Sequence, residues 1–218
     1  MTYTELSKEL LSDRIYDVLR ASILNGSRGP GTRLVESEIA RGMTVSQAPV
    51  REALKRLVHE GLVTSAPRRG SYVTQVSQSE FALARQLRAA VESVGARSAV
   101  AGLTEADLAD LRGVVARMGA AVTVGDWAEF RSLDAEFHAR VLVIGDHAVL
   151  SRVWAVLEPL LMSQRAIGDP AYPGDRFTVV QWHDDLVNTL AAGDPEAAAA
   201  AFFAHASGAL GVAPAAGR

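Results

Sequence analysis

Four residues in the later part of the chain have side chains suited to holding a divalent cation: Asp134, His138, His183 and His205. Imidazole nitrogen accepts Zn, Ni, Fe or Cu, and a carboxylate oxygen widens the range toward Mn. Asp134 and His138 stand four apart, so on one helix they share a face, and His183 and His205 each fall on a later helix. Four protein ligands around an octahedral ion would leave two positions open for a small molecule. Spacing alone also fits hydrogen-bonded or surface histidines with no ion at all. A metal with open positions could activate water, but no further acid with a base role stands beside the motif, since Glu136 falls off the Asp134–His138 face. An enzyme is therefore not expected. An anionic ligand would need a cation besides the metal. Arg88, in Leu87-Arg88-Ala89-Ala90-Val91-Glu92, can grip a carboxylate with two parallel bonds or pair with Glu92 at i+4. Arg140 and Arg165 are further candidates. His147 follows a loop and reads either as a pocket residue or as an N-terminal helix residue.

A second chemistry lies in Val45 to Val63, VSQAPVREALKRLVHEGLV. Ser46 is placed to N-cap a helix, and Pro49 falls in its first turn, where a missing N–H costs nothing. Val50, Leu54, Leu57 and Val58 recur at helical spacing as a buried stripe. Gln47, Arg51, Lys55 and Arg56 lie off it. Gly61 ends the helix and Leu62-Val63-Thr64 begins an extended segment. A helix that packs on one side and offers Gln and Arg from its N-terminal turns suits the DNA major groove.

These residues need elements to position them. Apolar residues make up 49% of the 218, enough for a core. No run of eighteen apolar residues suggests a membrane span, and no basic, apolar leader suggests a signal peptide. Cysteine is absent, which excludes disulfides and thiolate metal sites and suits a cytoplasmic protein. Residues 1–76 carry eleven Lys and Arg against eight Asp and Glu (+3), and residues 77–218 carry eleven against seventeen (−6), summing to −3. A basic first part with an acidic remainder fits DNA binding by the first part only.

Leu10 to Asn25, with Leu11, Ile15, Val18, Leu19 and Ile23, reads as an amphipathic helix. Arg28-Gly29-Pro30-Gly31 is a turn, and Val35 to Arg41 a short helix. Val63-Thr64 and Tyr72-Val73-Thr74 flank Pro67-Arg68-Arg69-Gly70 as a two-stranded wing with a basic tip, suited to phosphate or the minor groove. Ser77 and Glu80 form a capping box, which puts a domain boundary at Val76. Beyond it no strand pattern appears. Thr104 with Asp107 and Asp126 with Glu129 repeat the cap spacing. Gly102, Gly125, Gly145 and Gly193 sit at helix ends. Asp194-Pro195-Glu196 is an N-cap with Pro at the first helical position. The fold class is mostly α. A winged helix-turn-helix over 1–76, of three helices and a two-stranded wing, precedes an antiparallel bundle of about six or seven helices over 77–218.

Ile23 to Val63 resembles the winged helix-turn-helix of the GntR family of bacterial transcription regulators. The resemblance rests on Pro30-Gly31, Leu34, Glu36, Glu38, Val45-Ser46, Pro49-Val50-Arg51-Glu52-Ala53-Leu54 and Glu60-Gly61-Leu62. Many members carry Arg at the place of Gln47. Arg favours guanine and Gln adenine, so the operator bases differ accordingly. Asp134-Ala135-Glu136-Phe137-His138 resembles the Asp-x-x-Phe-His signature of the all-helical FCD effector domain of the FadR-like branch. His183, with Leu186 and Ala192-Gly193-Asp194, and His205, 22 residues on, match its later motifs. Members usually have Asn at the place of His147.

The resemblance implies a homodimer reading a palindromic operator through Ser37, Ser46, Gln47, Arg51, Arg69 and Gly70. It implies a divalent ion (Zn, Ni or Mn) on Asp134, His138, His183 and His205, and a small carboxylate effector held there with help from Arg88. One sub-branch binds acyl-CoA without metal, and the retained Asp and three His argue against it. Most members are repressors released by their ligand.

Overall fold

The computed structural model describes residues 3–24, 26–66, 69–162 and 174–208. The chain divides into two compact units, one holding residues 1–77 with 159–165 and the other residues 78–158 with 166–218.

In the first unit, α1 (Tyr3–Leu24), β1 (Arg33–Leu34), α2 (Glu36–Gly42), α3 (Gln47–His59), β2 (Val63–Ala66) and β3 (Gly70–Val73) follow in order. Helix α1 starts well before the expected Leu10. Ile15, Leu19 and Ile23 bury one side of it against Val50, Ala53, Leu54 and Leu57 of α3 and Leu34, Ile39 and Ala40 around α2. Two expected stripe members are exposed, Val18 at 56% and Val58 at 38%. Ala53 takes the place on α3 assigned to Val58, because i+3 from Val50 points more directly inward than i+8. Ser46 does occupy the N-cap position, but its side chain makes no capping hydrogen bond.

The wing has one strand more than expected. β1 pairs antiparallel with β3, and β3 with β2, in the order β1-β3-β2. The registers are Arg33↔Tyr72 and, across the hairpin, Val63↔Val73 through Ala66↔Gly70. Arg33-Leu34 is too short to show a period-two pattern, so only pairing reveals it as a strand. Gly70 has φ +104 at the end of the hairpin, a conformation that excludes most side chains. Tyr72 braces this end by donating its hydroxyl to the Arg69 carbonyl at 2.8 Å. Pro67 and Arg68 lie outside the described residues.

The second unit is all helical among the described residues: α4 (Gln78–Gly102), α5 (Glu105–Val124), α6 (Trp127–Ile144), α7 (Ala148–Met162), α8 (Arg176–Ala191) and α9 (Pro195–Ser207). Their ends follow local chemistry. Thr104 and Asp107 form a reciprocal capping box on α5, and Asp126 accepts from the Glu129 amide at the start of α6. Asp194 accepts from the Glu196 and Ala197 amides with Pro195 at the first helical position of α9. Gly125 and Gly208 end α5 and α9 in the left-handed region. The core joins Leu111, Met118, Phe130, Leu133, Phe137, Leu186, Leu190 and Phe202. No helix among the described residues is long and apolar enough to cross a membrane.

Candidate functional sites: an acidic and histidine cluster and an exposed recognition helix

Helix α6 supplies Asp134 and His138, α8 supplies His183 and α9 supplies His205. Their potential ligand atoms all lie within 4.8 Å of one another. Asp134, His138 and His183 are buried. His205 is partly buried as a residue, with its Nδ1 fully enclosed and without a hydrogen-bond partner.

Close helix packing brings these side chains together. A Cβ on Gly95 of α4 would lie 2.3 Å from Leu142 Cδ2 of α6, and one on Gly145 would lie 2.9 Å from the Gly95 carbonyl oxygen. Only glycine admits this approach. Helix α9 is tied to α4 at both ends. Arg97 donates to both carboxylate oxygens of Glu196, at 2.7 and 2.6 Å, and Arg85 donates to the Ser207 carbonyl. Phe137 stands edge-on to both His138 and His183 and stacks on Phe202. The imidazoles are therefore walled by aromatic rings.

The outer nitrogens of two imidazoles meet different groups. His183 Nδ1 donates to the Val179 carbonyl at 2.8 Å. His138 Nδ1 lies 2.9 Å from Glu92 Oε2 of α4, within ion-pair reach though off the line of a straight hydrogen bond. The two Nε2 atoms face each other 3.3 Å apart. Asp134 Oδ1 lies 3.2 Å from His183 Nε2 and 4.0 Å from His138 Nε2. Three potential ligand atoms thus converge. Ligands about 2.0–2.2 Å from one ion stand roughly 3–4 Å from each other, so this donor set fits a divalent cation.

Electrostatics reinforce the arrangement. Burial pushes His138 down to about 4, against the opposing pull of the Glu92 carboxylate. Burial, then the neighbouring His183 and His138, hold His205 well below the ordinary imidazole value. Burial alone would raise Glu92, yet the Arg88 guanidinium and then His138 hold it far below the usual carboxylate range. Neutral imidazole and ionised carboxylate are the forms that ligate metal.

Arg88 is 8% exposed. Its Nε donates to Glu92, its guanidinium carbon lies 5.6 Å from the Trp154 ring centroid, and its buried Nη2 has no hydrogen-bond partner. Both sequence readings of Arg88 thus have a structural counterpart: an i+4 pair with Glu92 and a free donor. Glu92 entered the sequence analysis only as that pairing partner. Its approach to His138 had no local signal, because it depends on how α4 meets α6. His147 is exposed at the start of α7 and lies outside the cluster. Arg140 is engaged by Glu136 and Asp110, and Glu136 also meets Arg117 at 3.4 Å. Arg165 lies outside the described residues.

In the first unit, Ser37, Ser46, Gln47, Arg51, Arg69 and Gly70 are all exposed. Gln47 and Arg51 are one turn apart on α3, while Pro49, Val50, Ala53, Leu54 and Leu57 are buried. Arg51 Nε and Nη2 donate to Glu36 Oε2 at 3.0 and 2.8 Å. The Arg51 side chain is thereby held over the start of α2. Arg56 is occupied elsewhere, paired with Asp13 and 3.9 Å above the Tyr16 ring.

The exposed face of α3 beside the wing suits DNA binding, and the histidine cluster lies in the separate helical unit. Comparisons with known proteins agree. Residues 11–73 match the family described as "Bacterial regulatory proteins, gntR family", and residues 84–208 match the FCD domain. The chain is 29% identical over 204 residues, 94% of it and 89% of the relative, to a "Probable D-xylose utilization operon transcriptional repressor" of Paenarthrobacter nicotinovorans. It is 33% identical over 191 residues, 88% of it and 80% of the relative, to an "Uncharacterized HTH-type transcriptional regulator in unstable DNA locus" of Streptomyces ambofaciens. The solved structure of McbR/YncC from E. coli shares its fold, with TM-score 0.75 at 23% identity over 92% of this chain and 94% of that one.

The chain belongs to the GntR family of bacterial transcription regulators and carries an FCD effector domain. Its role is regulatory and DNA-binding, not enzymatic.

Proposed function

We propose that this protein is a metal- and small-carboxylate-responsive repressor that binds a palindromic operator as a homodimer in the cytoplasm. Residues 1–76 serve as the DNA-binding domain and 77–218 as the ligand-binding and dimerisation domain. The observation that carries the sensing part is the convergence of ligand atoms from Asp134, His138, His183 and His205 within 4.8 Å of one another. These four hold a divalent Zn, Ni or Mn ion. When bound, it would supply a Lewis-acidic seat for an anion. The free Arg88 Nη2 then serves as a second, protein-borne grip on the effector carboxylate.

Ser37, Ser46, Gln47 and Arg51 read bases or phosphates in the major groove, and Arg69 with Gly70 approaches the backbone or minor groove. Repression agrees with the name of the Paenarthrobacter relative and with that of the gluconate operon repressor of Bacillus subtilis, 30% identical over 158 residues. Effector binding alters operator affinity by binding one conformation more tightly than another.

The test is metal content by mass spectrometry on tag-free full-length protein, beside an Asp134→Ala/His138→Ala variant. About one metal per chain, lost in the variant, is the expected result. Absence of metal from both would remove the metal from this reading and leave DNA binding standing.

A further inference from the structure

We propose that Glu92 is the positioning residue of this metal site. It holds His138 through Nδ1 so that Nε2 faces the cluster, and Arg88 in turn holds Glu92. The inference rests on the metal reading above and goes beyond it, since Glu92 is not among the four ligands.

Three observations carry it. Glu92 is 1% exposed, where an ionised carboxylate is unfavourable without partners. It has two: Arg88 Nε on its Oε1 and His138 Nδ1 2.9 Å from its Oε2. The ion pair therefore ends on an imidazole that belongs to the cluster. The third observation is packing. Gly95 lies three residues after Glu92 on α4, and Leu142 four after His138 on α6. Their contact, with no room for a Cβ, fixes the separation at which Glu92 meets His138.

The chemistry is that of an outer shell. A carboxylate set against one ring nitrogen favours the proton on that nitrogen, limits turning of the ring and raises the basicity of the other nitrogen. His183 gets its equivalent from a backbone carbonyl within its own helix, so its orientation survives any shift between helices. His138 depends on a side chain of another helix. The site is thus tied to α4, which also carries Arg88. An effector carboxylate that engages Arg88 Nη2 pulls on the same guanidinium that holds Glu92, so one side chain links effector and metal.

The experiment uses tag-free full-length protein stripped and reloaded with Co(II). Affinity is read by competition with a chelator, and the visible Co(II) spectrum reports ligand geometry. Glu92→Gln should still bind about one Co(II) per chain, roughly 10–100-fold more weakly, with altered bands. Nitrogen NMR of the metal-free protein should show His138 passing from a single Nδ1–H tautomer to a mixture.

If Glu92→Gln unfolds because Arg88 is left unpaired, the double variant Arg88→Met/Glu92→Leu replaces the whole buried pair by apolar groups, a milder change. It should show the same loss of affinity. Wild-type affinity, spectrum and tautomer in a folded Glu92 variant would overturn the role of Glu92 and leave the four-ligand site intact. Wild-type protein that takes up no Co(II), or uptake that survives Asp134→Ala/His138→Ala, would overturn the metal reading and this inference with it.

Discussion

Replacing Gly95 by alanine should destabilise the helical unit, although alanine is the better helix former. On propensity alone the change gains about 1 kcal/mol in a helix interior. The new Cβ, however, would lie 2.3 Å from Leu142 Cδ2 and 3.6 Å from its Cγ. Carbon atoms pack at about 3.5–4.0 Å, so the overlap is roughly 1 Å or more. Leu142 is 1% exposed and cannot swing into solvent. Overpacking of this kind costs ~1–3 kcal/mol. Taking the centre of that range less the propensity gain leaves a net loss of about 1 kcal/mol.

Urea unfolding followed by tryptophan fluorescence isolates the effect, because Trp127, Trp154 and Trp182 all belong to the helical unit. In a chain of this size the same loss lowers the melting midpoint by roughly 2–4 °C. Gly95→Ala/Leu142→Ala should lose less than the two single changes summed, since the truncated side chain vacates the space the new methyl needs. A Gly95→Ala midpoint at or above the wild-type value would refute the argument that glycine is needed for the α4–α6 approach.

Three further outcomes are expected. Arg51→Ala should abolish specific operator binding in a fluorescence anisotropy titration with the melting curve unchanged, since its pair with Glu36 is exposed; retained affinity would sink the recognition-helix assignment. His183→Ala should lower bound metal and thermal stability together, as a ligand that binds only the folded state stabilises it, so a melting curve indifferent to chelation would count against the site. The metal-free protein should also weaken in acid. Unfolded imidazole takes a proton near pH 6.5, whereas burial holds His138 to about 4 and His205 well below the ordinary value. Between those limits the unfolded chain binds more protons. Stability is then fully present above about pH 6.5 and is lost as pH falls toward 4. Depression of Glu92 adds to the loss in the same direction. Denaturation midpoints that rise from pH 7.5 to pH 5 would contradict neutral burial of the histidines.

Much of the architecture was legible because its signals are local. Thr104 with Asp107, Asp126 with the Glu129 amide, and Asp194-Pro195-Glu196 each start a helix through atoms two or three residues apart. Gly125 ends one by a left-handed turn at a single residue. Helix α3 was readable for the same reason, with Val50, Leu54 and Leu57 inward and Gln47 and Arg51 outward. The failures were those where distant partners decide. Arg33-Leu34 is a strand only because β3 pairs with it. Val58 lies on the predicted stripe yet stands 38% exposed, since the packing of neighbouring elements sets how wide the buried face is.

For the candidate site, residue types and the fourfold step from Asp134 to His138 could be read in order along the chain, and the family resemblance named the four ligands. The sequence by itself determined which side chains exist to bind a cation and which helices carry them, because helix formation and capping depend on near neighbours. Only the tertiary structure decided that Glu92 faces His138, that Arg88 keeps a free donor beside its i+4 pair, and that Arg51 is held by Glu36. Glu92 to His138 spans 46 residues and Arg51 to Glu36 spans 15. Both contacts follow from where helices touch, and the first turns on a glycine that leaves no Cβ between α4 and α6.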